Sequence, residues 1–90
     1  MNKCFFIGKV LNNPEFKFLY MNKKISIAYF YIRLSNGSII KIFGYDEKAD
    51  YIFRNIGIGQ FLTIEGNIRQ RNGLLEIEIE RINKMVHFMK

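Results

Sequence analysis

A single change of hydrophobic period constrains the fold of this chain most, because nearly all of the remaining sequence has the pattern of β-strands. After Asp46, apolar side chains follow the pattern i, i+3, i+4, i+7, at Ala49, Ile52, Phe53 and Ile56. This spacing predicts one short amphipathic helix with Asp46 at its N-cap. Elsewhere, β-rich runs end at turn signals. The predicted strands are residues 3–11, 16–20, 25–34, 38–44, 61–70 and 74–82.

The place of that helix in the strand order indicates the architecture. One helix before the penultimate long strand fits an all-β, five-stranded OB-fold Greek-key barrel with one short α-helix between the third and fourth strands. An SH3-like barrel is the main alternative, but it does not normally carry a capped helix there. Ninety residues are enough for one domain and too few for two. We predict one domain over residues 1–85 and a short tail over residues 86–90.

Charge and aromatic content indicate the class of partner. The chain has 14 Lys and Arg against 8 Asp and Glu, and 16% of its residues are aromatic, none of them Trp. Basic side chains favour polyanions because they release counterions from phosphates, and unpaired bases stack on Tyr and Phe. A basic surface that serves only solubility is the alternative. No apolar run approaches the ~20 residues that span a bilayer, and Cys4 is the single cysteine, so we expect a cytoplasmic protein.

The first hairpin predicts a candidate binding face. A two-residue loop at Asn36-Gly37 would pair Lys41 with Ile32 and put a lysine on the core side. A three-residue loop over residues 35–37, with Gly37 left-handed, pairs Ile32 with Ile40 instead. The outer face then carries aromatic and cationic side chains suited to base stacking and phosphate contact, or, alternatively, to covering a subunit interface. This predicted row consists of Tyr29, Tyr31, Arg33, Lys41 and Phe43.

The second hairpin, at Asn72-Gly73, predicts a face that nucleic acid should avoid. A two-residue loop places Arg69 opposite Glu76 and apolar residues opposite each other. Glu76, Glu78 and Glu80 then form one outward stripe, partly neutralised by Arg69. Three carboxylates in line repel phosphate, so we expect the bound strand to lie elsewhere.

No catalytic or metal-binding pattern stands out in the sequence. Cys4 lies in an apolar strand, and His87, the single histidine, lies near the C-terminal end. The acidic residues at the start of the predicted helix are explained as favourable partners of its dipole. No glycine-rich phosphate loop is present. We therefore predict a protein that is not an enzyme and has no cofactor or metal.

Four segments in order resemble the bacterial single-stranded DNA-binding protein (SSB) family, over about residues 1–85. They are MNKCFFIGKV at the start, NPEFKF at residues 13–18, IIKIFGYDEKADYI at 39–52 and GQFLTIEGNIRQR at 59–71. The resemblance implies that Phe43 matches the base-stacking phenylalanine of the family and that Phe18 matches an aromatic position near the bound strand. It also aligns Lys3, Lys9, Arg69 and Arg71 with basic or polar positions around the path of the DNA.

The chain also departs from that family. It has no Trp, so Tyr29 and Tyr31 are the nearest substitutes for stacking tryptophans, and both hairpin loops are short. There is no acidic tail with a hydrophobic tip. The short loops imply a smaller site and weaker binding, and the missing tail implies that the family's usual route for recruiting other enzymes is lost. A tail-less OB protein of this size also resembles primosomal replication protein N, which binds single strands and a partner helicase.

The predicted function is binding of single-stranded DNA without strong sequence preference, in DNA replication, recombination or repair. RNA stays open as a ligand, because stacking does not distinguish the sugar. The alternative is a protein-interaction or primosome accessory module whose main partner is another replication protein. An exposed first strand predicts a homodimer or homotetramer. We expect a cytoplasmic, nucleoid-associated protein.

Overall fold

A computed structural model describes residues 3–20 and 23–85 of the chain. They form six strands and one helix in an order that matches the predicted one. The predicted tail over residues 86–90, and with it His87, lies outside the described residues. The elements are β1 (Lys3–Val10), β2 (Glu15–Tyr20), β3 (Lys24–Arg33), β4 (Ile39–Tyr45), α1 (Glu47–Asn55), β5 (Phe61–Arg71) and β6 (Leu74–Lys84).

Five of the strands close into a barrel. The sheet order is β1-β5-β6-β4-β3-β2, and β1 also pairs with β3 through Lys9 opposite Arg33 and Val10 opposite Ile32. β4 and β6 run parallel, whereas the other pairs are antiparallel. β2 lies outside the closed ring and pairs with β3. This arrangement is the predicted OB barrel, with its helix between the third and fourth barrel strands and with β2 as an additional edge strand.

The core lies inside the ring, where alternate residues of each strand meet. Phe30, Ile32, Ile42 and Leu62 are fully buried there. The helix closes one end of the barrel by burying Ala49 and Ile52 of its predicted apolar stripe, while its other side faces solvent. Phe53, which the spacing also placed in that stripe, is 55% exposed because it packs against Phe16 of β2 and not into the core. No helix in the described part of the chain is long and apolar enough to cross a membrane.

Both predicted hairpin registers are confirmed. Ile32 lies opposite Ile40, and Gly37 has a φ of 90°, as the three-residue loop requires. Arg69 lies opposite Glu76, and Asn72 with φ 53° and Gly73 with φ 80° form the two-residue turn. Turn chemistry and the apolar pattern thus specify the local strand pairing.

Two local features of the barrel concern Asp46 and Gly66. Asp46 precedes the helix, but its side chain makes no cap hydrogen bond; its Oδ1 accepts the Ser26 N–H at 3.2 Å, which ties the helix to β3. The β5–β6 register shifts at Gly66, where a β-carbon would lie 2.2 Å from the Glu78 carbonyl oxygen. Glycine therefore permits the bulge that bends β5 around the barrel.

Candidate nucleic-acid interface

Tyr29 and Tyr31 lie on the outer face of β3, and they pair with Phe43 and Lys41 of β4 as the sequence predicts. Phe30, between the tyrosines, is fully buried, so the two tyrosines point away from the core. Tyr31 is exposed and Tyr29 half-buried. Their rings meet edge to face, with centroids 6.4 Å apart. The two rings form an aromatic surface on the outside of the barrel.

The amino groups of two lysines lie over the ring of Tyr29. The Nζ of Lys41 is 4.6 Å from the ring centre, and the Nζ of Lys17 is 5.4 Å from it. The Tyr29 hydroxyl donates a hydrogen bond to Glu15 Oε1 at 2.8 Å, and this bond raises the pKa of Tyr29. Cation–π attraction at exposed sites contributes about 0.5–1 kcal/mol. A base that stacks on this ring displaces a lysine from the ring face, and its phosphates then lie within reach of both ammonium groups.

Lys17 is absent from the predicted row, although the sequence carried a signal for it. Residues 16–20 alternate like a strand and lie close in sequence to β3, so an antiparallel β2–β3 pair follows from the turn between them. In the structure Glu15 pairs with Tyr29, and Lys17 lies on the same face of β2 as Glu15. This strand adds one cation to the face that β3 and β4 form.

Phe43 lies on the outer face, but only 2% of it is exposed. The guanidinium carbon of Arg69 is 5.6 Å from its ring centre, and Tyr45 packs edge-on at 5.6 Å. Arg69 is paired with Glu78, which lies beside Phe43 in the β4–β6 register. Phe43 therefore lies on the outer face as predicted, but the parallel β4–β6 pairing brings charged side chains over its ring. A role in base binding stays a prediction.

Three further basic residues that the sequence predicts to bind phosphate contact carboxylates of β6 instead. The amino group of Lys41 and the guanidinium of Arg71 lie 4.0 and 3.8 Å from Glu76, which is buried. Lys3 lies 2.6 Å from Glu80 and lowers the pKa of that carboxyl through their hydrogen bond. The acidic stripe therefore lies directly beside the aromatic row, and basic side chains neutralise it.

Lys9 and Arg33 lie at the place where the barrel closes. They are register partners across β1 and β3, and both are exposed. The Nζ of Lys9 is 6.0 Å from the centre of the Phe61 ring. Because Arg33 follows Tyr31 by two residues on the same face of β3, this pair extends the cationic side of the row.

Phe18 lies on the other face of the sheet. Its register partner is Ser26, and the neighbouring Phe16 pairs with the buried Ala28, so both phenylalanines point to the inner side of the ribbon. Phe18 is therefore not part of the face formed by Tyr29 and Tyr31. The resemblance placed it near a bound strand, but the register separates it from the predicted row.

One end of the row opens into a shallow groove between the two hairpins. Exposed Ile39 and Leu74 give the groove an apolar character that the sequence analysis did not predict. It forms because the parallel β4–β6 pairing sets the tips of both hairpins side by side. The lining residues are Tyr31, Ile39, Lys41, Leu74, Leu75 and Glu76.

Cys4 and the acidic residues do not form a reactive centre in the described part of the chain. The Cys4 thiol donates to the Gly66 carbonyl oxygen at 3.4 Å, and burial raises its pKa, which favours the protonated thiol. Among residues 3–20 and 23–85, no group of three or more His, Cys, Asp or Glu side chains could hold a metal ion.

The closed five-stranded barrel with its crossing helix defines this chain as an OB-fold domain, whose candidate ligand face lies on β2, β3 and β4. Known structures of single-stranded DNA-binding proteins have a similar fold. The SSB domain of a Synechococcus sp. protein has a TM-score of 0.82 and 17% identity, over 91% of this chain and 93% of that one. The small single-stranded DNA-binding protein of Streptomyces coelicolor has a TM-score of 0.75 and 16% identity, over 96% and 95% of the two chains.

Other comparisons agree on the fold. The second OB-fold domain of replication protein A from Methanococcus maripaludis has a TM-score of 0.70 and 16% identity, over 96% of this chain and 86% of that one. No protein-family model and no curated protein sequence matches the chain. The predicted likeness to single-stranded DNA-binding proteins is confirmed at the level of the fold. The resemblance to primosomal replication protein N stays a prediction.

Proposed function

We propose that this protein binds single-stranded DNA without strong sequence preference, through stacking on Tyr29 and Tyr31. The observation that carries the proposal is the Tyr29 ring with Lys17 and Lys41 at 5.4 and 4.6 Å from its centre. Unpaired bases present flat π-faces to such a ring, and their phosphates attract the neighbouring cations. A duplex keeps its bases stacked on one another, so it gains only the phosphate contacts.

The basic side chains around the row supply the phosphate contacts. Lys9 and Arg33 extend the cationic side, while Lys3 and Arg69 exchange a carboxylate of β6 for a phosphate when the strand binds. Arg71 can turn to a phosphate because Lys41 also lies beside the buried Glu76. Exposed ion pairs contribute about 0–1 kcal/mol, and each stacked base contributes about 1–3 kcal/mol. The free energy lost when such an ion pair opens is therefore smaller than the free energy gained by stacking a base.

The names of the structural relatives support single-stranded DNA as the ligand. Proteins of similar fold and size include the small single-stranded DNA-binding protein of Streptomyces coelicolor. We propose a role in DNA replication, recombination or repair, in the cytoplasm and associated with the nucleoid. We also propose that the protein acts as a homodimer or homotetramer. RNA stays open as a second ligand.

A second candidate function is the protein-interaction or primosome accessory module. The exposed Ile39 and Leu74 beside Tyr31 favour it, because an apolar groove is the kind of surface that a protein partner covers. Such a partner would bind with little dependence on salt, whereas phosphate binding weakens steeply as salt rises.

The experiment that tests the proposed site removes the two rings. The double variant Tyr29→Ala/Tyr31→Ala should bind oligothymidylate about 5- to 150-fold more weakly for each stacked base lost, which corresponds to about 1–3 kcal/mol. Fluorescence anisotropy of a labelled oligonucleotide measures the affinity, and circular dichroism checks the fold.

The matched control keeps the rings and removes only the hydroxyls. Tyr29→Phe/Tyr31→Phe should bind within about twofold of the parent, because stacking needs the ring and not the hydroxyl. An alanine variant that is folded and binds as tightly as the parent would show that the tyrosines are not the stacking surface.

A further inference from the structure

The β2–β3 ribbon has a second aromatic surface on the face opposite Tyr29. Phe16, Phe18 and Tyr20 follow one another at every second position of β2, with ring centroids 5.2 and 6.4 Å apart. Phe53 of the helix continues this row, 5.3 Å from Phe16. We call these four rings the edge row. They form a continuous strip from the helix to the end of the ribbon.

Core packing does not explain the exposed members of the edge row. Phe16 packs against the core, but Phe18, Tyr20 and Phe53 are 48%, 73% and 55% exposed. Burying a large aromatic side chain contributes about 1.5–3 kcal/mol, so three neighbouring rings left in water represent binding energy that folding does not use. Within the described residues β2 pairs with β3 alone, which leaves this side of the ribbon open.

Lys24 is a cation at the edge row, and it favours an anionic, aromatic ligand. The Nζ of Lys24 lies 4.7 Å from the centre of the Phe18 ring. Residues 1–45 contain seven Lys and Arg and one acidic residue, whereas residues 46–90 contain seven of each, so the first half carries the whole net charge of +6. That acidic residue, Glu15, faces the other side of the ribbon, where it accepts the Tyr29 hydroxyl. On the helix, Asp50 is paired with Arg54 at 3.1 Å.

The spacing of the rings fits an extended single strand. Stacked bases of a duplex rise about 3.4 Å per nucleotide on each strand, whereas the exposed rings of Phe18 and Tyr20 lie 6.4 Å apart and are tilted by 41°, so bases on these two rings are held apart from one another. Lys17 lies on the Tyr29 face of β2, and its neighbours in sequence, Phe16 and Phe18, lie on the opposite face of the same strand. A strand that leaves Tyr29 can cross the edge of the ribbon at Lys17 and reach Phe18.

We propose that the edge row is a second single-strand site, onto which DNA bound at Tyr29 and Tyr31 continues around the edge of β2. The proposal rests on the proposed function, since it extends the path of the same ligand. Bases would then stack on both faces of the β2–β3 ribbon, and lysines would contact the phosphates between them. Short oligonucleotides fill the face of Tyr29 and Tyr31, and only longer ones reach Phe18 and Tyr20.

Length dependence of binding tests the edge row. Oligothymidylates of about 5 and about 16 nucleotides cover the range of sites known for one OB fold. Phe18→Ala/Tyr20→Ala should bind the longer oligonucleotide at least about 10-fold more weakly than the parent, and the shorter one within about twofold. Tyr51→Ala is the matched control, because it removes an exposed ring of the helix outside the edge row and should leave both affinities unchanged.

Each other outcome has a definite meaning. Equal affinity of parent and double variant for the longer oligonucleotide overturns the second site, and so does equal weakening at both lengths. A double variant that binds DNA normally but changes its mass in light scattering also overturns it, since the row is then a protein interface. If the parent binds neither length, the proposed function itself fails, and the result is distinct from failure of the edge row alone.

Discussion

Phe43 is shielded from solvent although it lies on the outer face of the sheet. Its ring is in contact with Arg69 at 5.6 Å, and Glu78 holds Arg69 in place. A base can stack on Phe43 only when Arg69 leaves the ring, and the ion pair opposes that movement. Because exposed ion pairs contribute about 0–1 kcal/mol, the cover weakens binding without preventing it.

Glu78→Gln should therefore strengthen binding of single-stranded DNA. The change removes a negative charge beside the aromatic row and releases Arg69 for phosphate contact. We expect a gain of up to about fivefold in affinity, the equivalent of about 1 kcal/mol. Anisotropy titration with labelled oligothymidylate measures it.

The control for this variant is Glu65→Gln, which makes the same change in net charge. Glu65 pairs with Arg81 at 3.7 Å and lies opposite Phe5, away from Phe43. If both variants strengthen binding equally, net charge explains the effect. If Glu78→Gln weakens binding, the Arg69–Glu78 ion pair does not hinder the stacking of a base on Phe43.

The sequence was sufficient to predict which residues share the outer face of β3 and β4, because that pairing depends on one short turn. It was not sufficient to predict that Phe43 is covered. The cover comes from Arg69 on β5 and Glu78 on β6, and these strands reach Phe43 only through the parallel β4–β6 pairing. No local pattern specifies a pairing between strands that far apart in the chain.

Among the elements, β1 has an edge that is only partly paired. It pairs with β5 from Lys3 to Lys9, but within the described residues it meets β3 only at Lys9 and Val10. Phe5 and Ile7 are exposed on its outer face. An apolar edge strand promotes uncontrolled association unless a partner covers it. A second copy of the chain is the partner that we propose.

Light scattering at micromolar concentration tests this proposal. We expect a dimer or tetramer for the parent and a shift toward monomer for Phe5→Lys/Ile7→Lys, because two buried charges disfavour an apolar interface. Ile58→Lys, which changes an exposed apolar residue in the loop after the helix, should leave the mass unchanged. A parent that is monomeric under these conditions contradicts the proposal.

The elements also show where prediction from sequence succeeds. The helix was predictable from the spacing of four apolar residues, of which Ala49, Ile52 and Ile56 are buried in the structure and Phe53 is exposed. Each hairpin register followed from a glycine-containing turn and an apolar pattern. The inner orientation of Phe18 was not predicted, because the resemblance supplied its position near the DNA without the β2–β3 register that decides its face.

At the scale of the whole molecule, the net positive charge belongs to the half of the sequence that also contains the tyrosines of the candidate face. This half, residues 1–45, includes β2, β3 and β4. The second half of the chain has balanced charge, and its β6 carboxylates are paired with basic side chains. A polyanion is therefore attracted to the ribbon side of the barrel.

The most direct test of single-strand binding is a titration of the parent protein with labelled oligothymidylate and with a duplex of equal length, at two salt concentrations. We predict tighter binding of the single strand, with an affinity whose logarithm falls by about 0.7 per neutralised phosphate for each unit of log salt. Preference for the single strand reflects stacking on Tyr29 and Tyr31, and the salt slope reflects Lys and Arg contacts. Equal affinity for the duplex, or an affinity that does not change with salt, would contradict the account.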